Sequence, residues 1–465
     1  MTWSAIKNLL DLTRDRLRFN KRWFFLFYLL AGIPYLILTG PFRTPDERNH
    51  FLRSYEISEG RFQAFRISGG FPGDNLPSSL SRLSEALGDH SVHQIQPAQI
   101  TLARSLSLAP EQREFVEFST AVYSPLAYIS ATISIMAGRA LGAGPLALVY
   151  FARCGNLLVA AWLISLAISY AGFARPAALI IALFPMTLAQ VASASADAMS
   201  YGLAFLWIAM VMQMAVGPGV EISRKRIVLL IALALALSQL RPPYPLLGLL
   251  VFLIPVKRFG GKIAILVCSA VMAASLLPAV AWNAAAAGLY VKPVVGQNIE
   301  PAAQAKWVMK HPGPFWHRVK QDLKTRGLEY WEQLVGRLGW LNIRLPSWII
   351  VGFAAALAVC IFSSPRASPS PRWWQRVALA LVVLGGVVAI EFFLYLTFNP
   401  VGSAYIFGVQ GRYFTPLALT AAFAFSNSLL SRPTFEFLCK IGCSLFVASA
   451  HLCAFFVLAR AAGKI

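Results

Sequence analysis

The sequence predicts an all-α polytopic membrane protein, and three observations lead there. Hydrophobic residues make up 57% of the 465-residue chain and charged residues only 13%, about half the charged share of a soluble domain. The mean hydropathy is +0.61. Apolar runs of about 20 residues recur along the whole length, long enough for helices to cross a bilayer. The net charge of +21 is spread over many short loops. That argues against nucleic acid as a partner and for positive-inside topology in a membrane with anionic lipid. The six cysteines, Cys154, Cys268, Cys360, Cys439, Cys443 and Cys453, lie in or beside apolar runs. No extracytoplasmic disulfide framework is expected from them.

Taken in order, Lys7, Arg14, Arg16, Arg18, Lys21 and Arg22 precede the first apolar run. They place the N-terminus, residues 1–22, in the cytoplasm. The run that follows is long and has no small-residue cleavage site, so it reads as a span and not as a cleaved signal. Eleven spans are expected, at about 23–40, 145–170, 176–195, 198–216, 226–240, 244–256, 262–284, 346–364, 377–398, 412–430 and 440–460. Long outer loops occupy 41–144 and 285–345. The chain thus divides into a basic N-terminus (1–22), a membrane module (23–345) and a C-terminal transmembrane module (346–465). The Ser/Pro-rich stretch Ser363–Arg372 is the one candidate linker.

Ser124–Leu141 is apolar enough to span. Counting it would place Arg224-Lys225-Arg226, Lys257-Arg258 with Lys262, Arg366, Arg372 and Arg376, and Arg432 outside. Leaving it out places all of them with the N-terminus, as the positive-inside rule prefers. An interfacial or re-entrant helix is therefore expected there. With that count, Pro45–His50, Ser193–Asp197, Arg241–Pro245, Gly336–Pro346 and Phe407–Phe414 all fall on the outer face. In the second outer loop Phe315, Val319 and Leu323 recur at helical spacing among scattered tryptophans, the pattern of an amphipathic interfacial helix.

The chemistry-bearing stretch is Thr44-Pro45-Asp46-Glu47-Arg48-Asn49-His50. Thr44, Pro45 and Glu47 have the spacing of a capping box with proline at the first helical position. Asp46, Asn49, His50 and Arg53 share one helical face, with Asp46 suited to act as a general base. Two adjacent carboxylates, Asp46 and Glu47, could instead hold a divalent cation, magnesium or manganese. Asp197 is a second acid, at the start of a span, where it could also serve as a helix cap. Glu391 lies inside a span, where acids are costly and default to function; Arg412 or Arg241 is its expected partner. Arg241, Arg344 and Arg412 are candidates for forked binding of phosphate oxygens. Tyr123, Tyr244, Gln410 and Tyr413 are placed to line the same site. His90 and His93 could bind zinc but have no further ligands at suitable spacing. The chain has no P-loop, His-Glu-x-x-His, Gly-x-Ser-x-Gly or Rossmann fingerprint.

A first span followed by a long outer loop that opens on an acidic motif resembles the GT-C glycosyltransferases. Pro45-Asp46-Glu47-x-x-His50-Phe51-x-Arg53, Tyr123-Ser124-Pro125-Leu126-Ala127-Tyr128, Ser195-Ala196-Asp197-Ala198, Gly339-Trp340-Leu341 and Gln410-Gly411-Arg412-Tyr413-Phe414-x-Pro416 resemble, more specifically, the domain-of-unknown-function 2142 family. That family comprises bacterial multi-pass membrane proteins linked with cell-surface polysaccharide assembly. The resemblance covers about residues 25–425. It implies a transferase in the bacterial cytoplasmic membrane that moves a sugar from a polyprenyl phosphate to a cell-envelope glycan or lipid acceptor. Asp46 would match the acidic first-loop residue as base, with Glu47, His50 and Asp197 beside it. The arginines would hold the lipid phosphate, with Asn49 and Arg53 among the substrate contacts, and inversion is the expected stereochemistry. Two other readings compete: a transporter or flippase of lipid-linked saccharide, and a non-catalytic subunit of polysaccharide assembly. A transporter should show an internal repeat, and none is evident.

Overall fold

The computed structural model describes residues 20–67, 70–219, 221–290, 299–366 and 369–464. The cations from Lys7 to Arg18 of the expected cytoplasmic N-terminus lie outside the described residues. Helices follow the apolar runs. α1 (Lys21–Leu38) leads into a first extramembrane region with α2 (Glu47–Ser58), α3 (Ser78–Leu87), α4 (Pro97–Ser105) and α5 (Ile129–Ala140). Then come α6 (Pro145–Tyr170), α7 (Arg175–Ala182), α8 (Pro185–Val191), α9 (Asp197–Val216), α10 (Arg224–Ser238) and α11 (Ile263–Ala285). α12 (Pro301–Lys310) and α13 (Pro312–Val335) form a second extramembrane region. α14 (Ser347–Phe362), α15 (Trp373–Phe398), α16 (Thr415–Phe425) and α17 (Pro433–Ala461) follow. Prolines open α6, α8, α13 and α17, where the N–H that proline lacks would have no helical partner.

Among the described residues α1, α6, α9, α11, α15 and α17 are long and apolar enough to cross a membrane. The segment ending in α7 meets α8 at 76° and would make a seventh, broken span. The bend has a local cause: Phe184 is extended (φ −60°, ψ 134°) before Pro185, as a residue preceding proline tends to be. The expected count of eleven is not reached on length. α10 has 15 residues, α14 has 16 and α16 has 11, and Tyr244–Leu253 is a ten-residue 3-10 helix. Pro242 and Pro243 precede this helix and Pro245 stands in its first turn. Outward-facing leucines such as Leu30, Leu277, Leu381 and Leu452 are 62–68% exposed, the surface of a chain solvated by lipid.

Ser124–Leu141 folds as a 3-10 turn and the 12-residue α5, which is too short to span and packs on α6 and α2. Gly155 of α6 permits this approach, since a Cβ there would stand 1.9 Å from Ser134 Oγ. The fold is not purely helical. The first extramembrane region also holds an antiparallel sheet in the order β1 (Phe65–Arg66), β2 (Pro72–Pro77), β3 (Arg113–Glu117), and β4 (Arg337–Leu338) pairs with β5 (Ile343–Arg344). Pro72-Gly-Asp-Asn-Leu-Pro is poor in strand-forming residues, so nothing in its composition announces β2.

The described residues form two apolar cores, one among the membrane helices and one under the extramembrane sheet. α2 lies between them, with ten of its 12 residues buried. A helix this polar can be buried only if its charged groups find partners inside the protein.

Candidate active site

α2 starts at Glu47, and Asp46 holds the N-cap place with φ 61° and ψ 7°. Aspartate tolerates this left-handed backbone better than most residues. The expected capping box does not form. Glu47 instead turns to Arg153 of α6 in a bidentate pair, Nε–Oε1 and Nη2–Oε2 both 2.7 Å. Glu47 Oε1 also accepts the Ala194 N–H at 2.9 Å. Arg153 donates further to the carbonyls of Leu36, Thr39 and Gly40 at 2.7–2.8 Å. Neither side chain is more than 1% exposed. A buried ion pair is tolerable when it is satisfied in this way. Glu47 therefore belongs to a structural joint that ties the end of α1, the Asp46 turn and the Ser193–Asp197 loop together.

Asp46, Arg412, Asp197 and Arg241 form an alternating chain of charges. Asp46 Oδ2 accepts from Arg412 Nη2 at 3.0 Å, Asp197 Oδ2 from Arg412 Nη1 at 3.2 Å, and Asp197 Oδ1 from Arg241 Nε at 2.7 Å. Arg412 is fully buried and all its nitrogens are engaged, since Nε donates to Gln410 Oε1 at 2.6 Å and Nη1 also to Gln190 Oε1 at 3.1 Å. The 3-10 turn Gly411–Phe414 presents it. Gly411 N–H donates to Gln333 Oε1 of α13 at 2.7 Å. A Cβ on Gly411 would come within 2.0 Å of the Tyr330 carbonyl, so only glycine lets the turn sit so close.

A cavity of about 190 Å³ lies beside this chain, lined by Asp46, His50, Tyr123, Arg241, Tyr244 and Tyr413 on its polar side. Trp282 and Tyr290 add aromatic surface, and Ile390, Phe393 and Leu394 of α15 form an apolar wall. One oxygen of Asp46 and both terminal nitrogens of Arg241 have no hydrogen-bond partner here among the described residues. The Asp46 side chain is 40% exposed, and its Oδ1 takes no hydrogen bond from the described residues. Arg241 Nη2 is buried without a partner, while its guanidinium lies over the rings of Tyr413 (4.7 Å) and Tyr123 (5.7 Å). His50 is neutral: burial first, and the neighbouring Arg241 next, push its pKa down to about 3. Its Nδ1 is hydrogen-bonded with Tyr128 Oη at 2.7 Å. Tyr244 Oη donates to the Tyr413 carbonyl at 3.1 Å.

Of the residues expected in the site, Asp46, His50, Tyr123, Arg241, Tyr244 and Tyr413 share the cavity, and Asp197, Gln410 and Arg412 stand behind it. Four do not belong to it. Glu47 is committed to Arg153. Asn49 Nδ2 donates to Ser119 Oγ at 3.1 Å. Arg53 is bound to Glu56 Oε2 at 2.5 Å and to the Phe62 and Tyr123 carbonyls at 2.8 and 3.0 Å. Arg344 is exposed on β5 opposite Arg337 and does not line the cavity. The shared helical face was wider than the cavity, because the extramembrane core covers the rest of α2. Glu391 makes no ion pair with Arg241 or Arg412. Both its oxygens are buried without a hydrogen-bond partner, and the charges acting on it are Asp322 and Arg326. The expected cation site on Asp46 and Glu47 does not fit the donors: both Glu47 oxygens are engaged, and no three His, Cys, Asp or Glu among the described residues are grouped to hold a metal.

Arg153, Gln190 and Trp282 were missed in the sequence. Arg153 had a signal, a lone cation in the middle of an apolar run, where charges default to function. Gln190 had the same signal more weakly. Trp282 had none, since its indole N–H finds the Val122 carbonyl (2.8 Å) only in the folded chain.

No curated protein and no solved structure matches this chain. A family profile described as "Predicted membrane protein (DUF2142)" matches residues 29–421, a stretch that contains the cavity and the whole charge chain. The chain therefore belongs to the DUF2142 family of membrane proteins.

Proposed function

We propose that this protein is a GT-C-type membrane glycosyltransferase that moves a sugar from a polyprenyl-phosphate donor to a cell-envelope acceptor on the extracytoplasmic face. One observation carries the reading: the Asp46 carboxylate, whose Oδ1 takes no hydrogen bond from the described residues, and the Arg241 guanidinium, bonded only through Nε, border one cavity that has an apolar wall. A transfer of this kind needs both groups, a base for the acceptor hydroxyl and a cation for the departing phosphate. In the reaction the bond from the anomeric carbon to the phosphate oxygen breaks, and its electron pair stays on that oxygen. The acceptor oxygen bonds to the carbon and its proton passes to Asp46 Oδ1. Arg241 meets the developing charge. Arg412 and Asp197 act through others: they fix the Asp46 carboxylate and the Arg241 guanidinium relative to each other. His50, being neutral, offers a hydrogen bond and not a charge.

Purified protein supplied with polyprenyl-phosphate sugars and envelope acceptors tests this. Asp46→Asn should lower transfer by about 100-fold or more, the scale of general-base catalysis, with the thermal midpoint little changed. Transfer at the wild-type rate in Asp46→Asn would remove Asp46 from the role.

A further inference from the structure

We infer that Asp322 of α13 and Glu391 of α15 share one proton, and that this proton latches the extramembrane helix, and with it the Arg412 turn, onto the membrane bundle. The inference goes beyond the transferase reading, since the latch works whatever the cavity binds.

Hydrogen bonding is the first ground. Glu391 is fully buried, and no N–H or O–H of the described residues reaches either of its oxygens. The group that does face it is the buried Asp322 carboxyl, which stands within hydrogen-bonding reach. Two ionised carboxylates can only accept, so this contact is a bond only if one of them holds a proton. The other donors decide which. Tyr330 Oη donates to Asp322 Oδ2 at 2.5 Å, and Arg326 Nη1 to Asp322 Oδ1 at 3.4 Å. Asp322 is thus served as an anion, and Glu391, which receives no donor, carries the proton and gives it to Asp322. With both ionised, two like charges would meet in a poorly solvated site. No further cation is at hand to relieve them. Arg326 is the cation that acts on Glu391 among the described residues, and it also serves the Ile406 and Val409 carbonyls at 3.2 and 3.4 Å. Tyr330 is the other titratable group that feels Glu391. α16 and the Tyr244–Leu253 helix, which pack on α15, carry no charged residue, and Tyr244 is bonded to the Tyr413 carbonyl. On α12, which also packs there, Lys306 and Lys310 are exposed.

The fold supplies the second ground. Phe315, two turns ahead of Asp322 on α13, packs on Phe392 and Tyr395 of α15, with ring centroids 5.7 and 5.4 Å apart. The carboxyl pair therefore sits where α13 is fastened to α15. The same helix holds the Arg412 turn. Arg326 ties down the Ile406 and Val409 carbonyls ahead of it, and the Gln333 side chain and Tyr330 carbonyl meet Gly411 within it. Loss of the shared proton puts two negative charges in contact and loosens this fastening. The closed form binds a proton that the open form releases, so closure holds at low pH and weakens as pH rises.

The test uses the full chain in nanodiscs with no substrate added. Infrared difference spectroscopy, wild type minus Glu391→Gln, should show the carbonyl band of a protonated carboxyl at neutral pH, shifted in D2O and lost on alkaline titration. Amide hydrogen exchange should show the Gly411–Phe414 turn opening more as pH rises, by up to about ten-fold per pH unit above the intrinsic trend, the slope of one released proton. Glu391→Gln is neutral at every pH and can still donate to Asp322. It should stay closed and lose that excess slope. Asp322→Asn removes the like charge and can donate to an ionised Glu391, so its band should vanish at lower pH than in wild type. Absence of a band assignable to Glu391 overturns the inference, because an ionised carboxylate or a bound cation then occupies the place. An excess slope that persists in Glu391→Gln overturns the latch. Neither readout depends on transfer, so their failure leaves the transferase reading standing.

Discussion

Arg241 and Arg412 hold the same carboxylate from two sides and yet differ in what they can still do. Arg412 has its nitrogens committed to Asp46, Asp197, Gln190 and Gln410, whereas Arg241, which lines the cavity, is bonded only through Nε. Sequence spacing could nominate both but could not divide the work, because the division depends on which N–H groups other segments already occupy. Glu47 and Arg153 show the same at a structural position. Removing one partner of a buried pair leaves the other uncompensated, at about 3–5 kcal/mol. Glu47→Gln should therefore lower stability by that order in thermal unfolding, and Glu47→Gln with Arg153→Met should recover part of the loss. His50 gives a prediction in pH. With a folded pKa of about 3 against the ordinary 6.5, it binds fewer protons than the unfolded chain in that window. Stability should therefore fall as pH drops from 6.5 toward 3, by about 1.4 kcal/mol per unit from this group. Glu56, which burial pushes up to about 7 against the pull of Arg53, acts with the opposite sign, losing stability as pH rises from 4.5 to 7. The difference between wild type and His50→Gln isolates the histidine: the variant should be less sensitive to acid.

At the scale of elements, the site is held by parts distant in sequence. Phe42, Asp46 and Leu341 are the non-glycine residues with positive φ among those described. Two of them flank one contact, since the indole N–H of Trp340, next to Leu341, donates to the Phe42 carbonyl at 3.2 Å. Such strain gathers where surrounding structure over-determines a functional turn. The Gly339-Trp340-Leu341 motif thus buttresses the loop that carries Asp46. α13, expected as an interfacial helix, also sets the position of the Arg412 turn through Gln333 and the Tyr330 carbonyl. Gly411→Ala would drive a Cβ into that carbonyl. It should cost about 1–3 kcal/mol, as overpacking does, and should lower transfer further by displacing Arg412. Thermal unfolding and the transfer assay, read together, check both effects.

For the whole molecule, five polar stretches expected on one membrane face meet at one end of the bundle, from the Asp46 turn to the Arg412 turn. If that face is extracytoplasmic, a cysteine at Gln96 should react with an impermeant maleimide on intact cells and one at Arg224 only after permeabilisation; the reverse pattern would invert the orientation. By itself the sequence determined that the chain is a helical membrane protein and nominated Asp46, Asp197, Arg241 and Arg412. Those conclusions rest on local quantities: apolar run length, the cost of burying charge in lipid, and residue types that recur in motifs. Tertiary structure alone decided that Glu47 pairs with Arg153, that Arg344 stands apart, that several apolar runs stop short of spanning length, and that Arg241 keeps its terminal nitrogens unpaired. Each of these depends on which groups from other segments arrive first at a buried polar atom, and the pairing of buried charge is settled by three-dimensional proximity that sequence spacing does not encode.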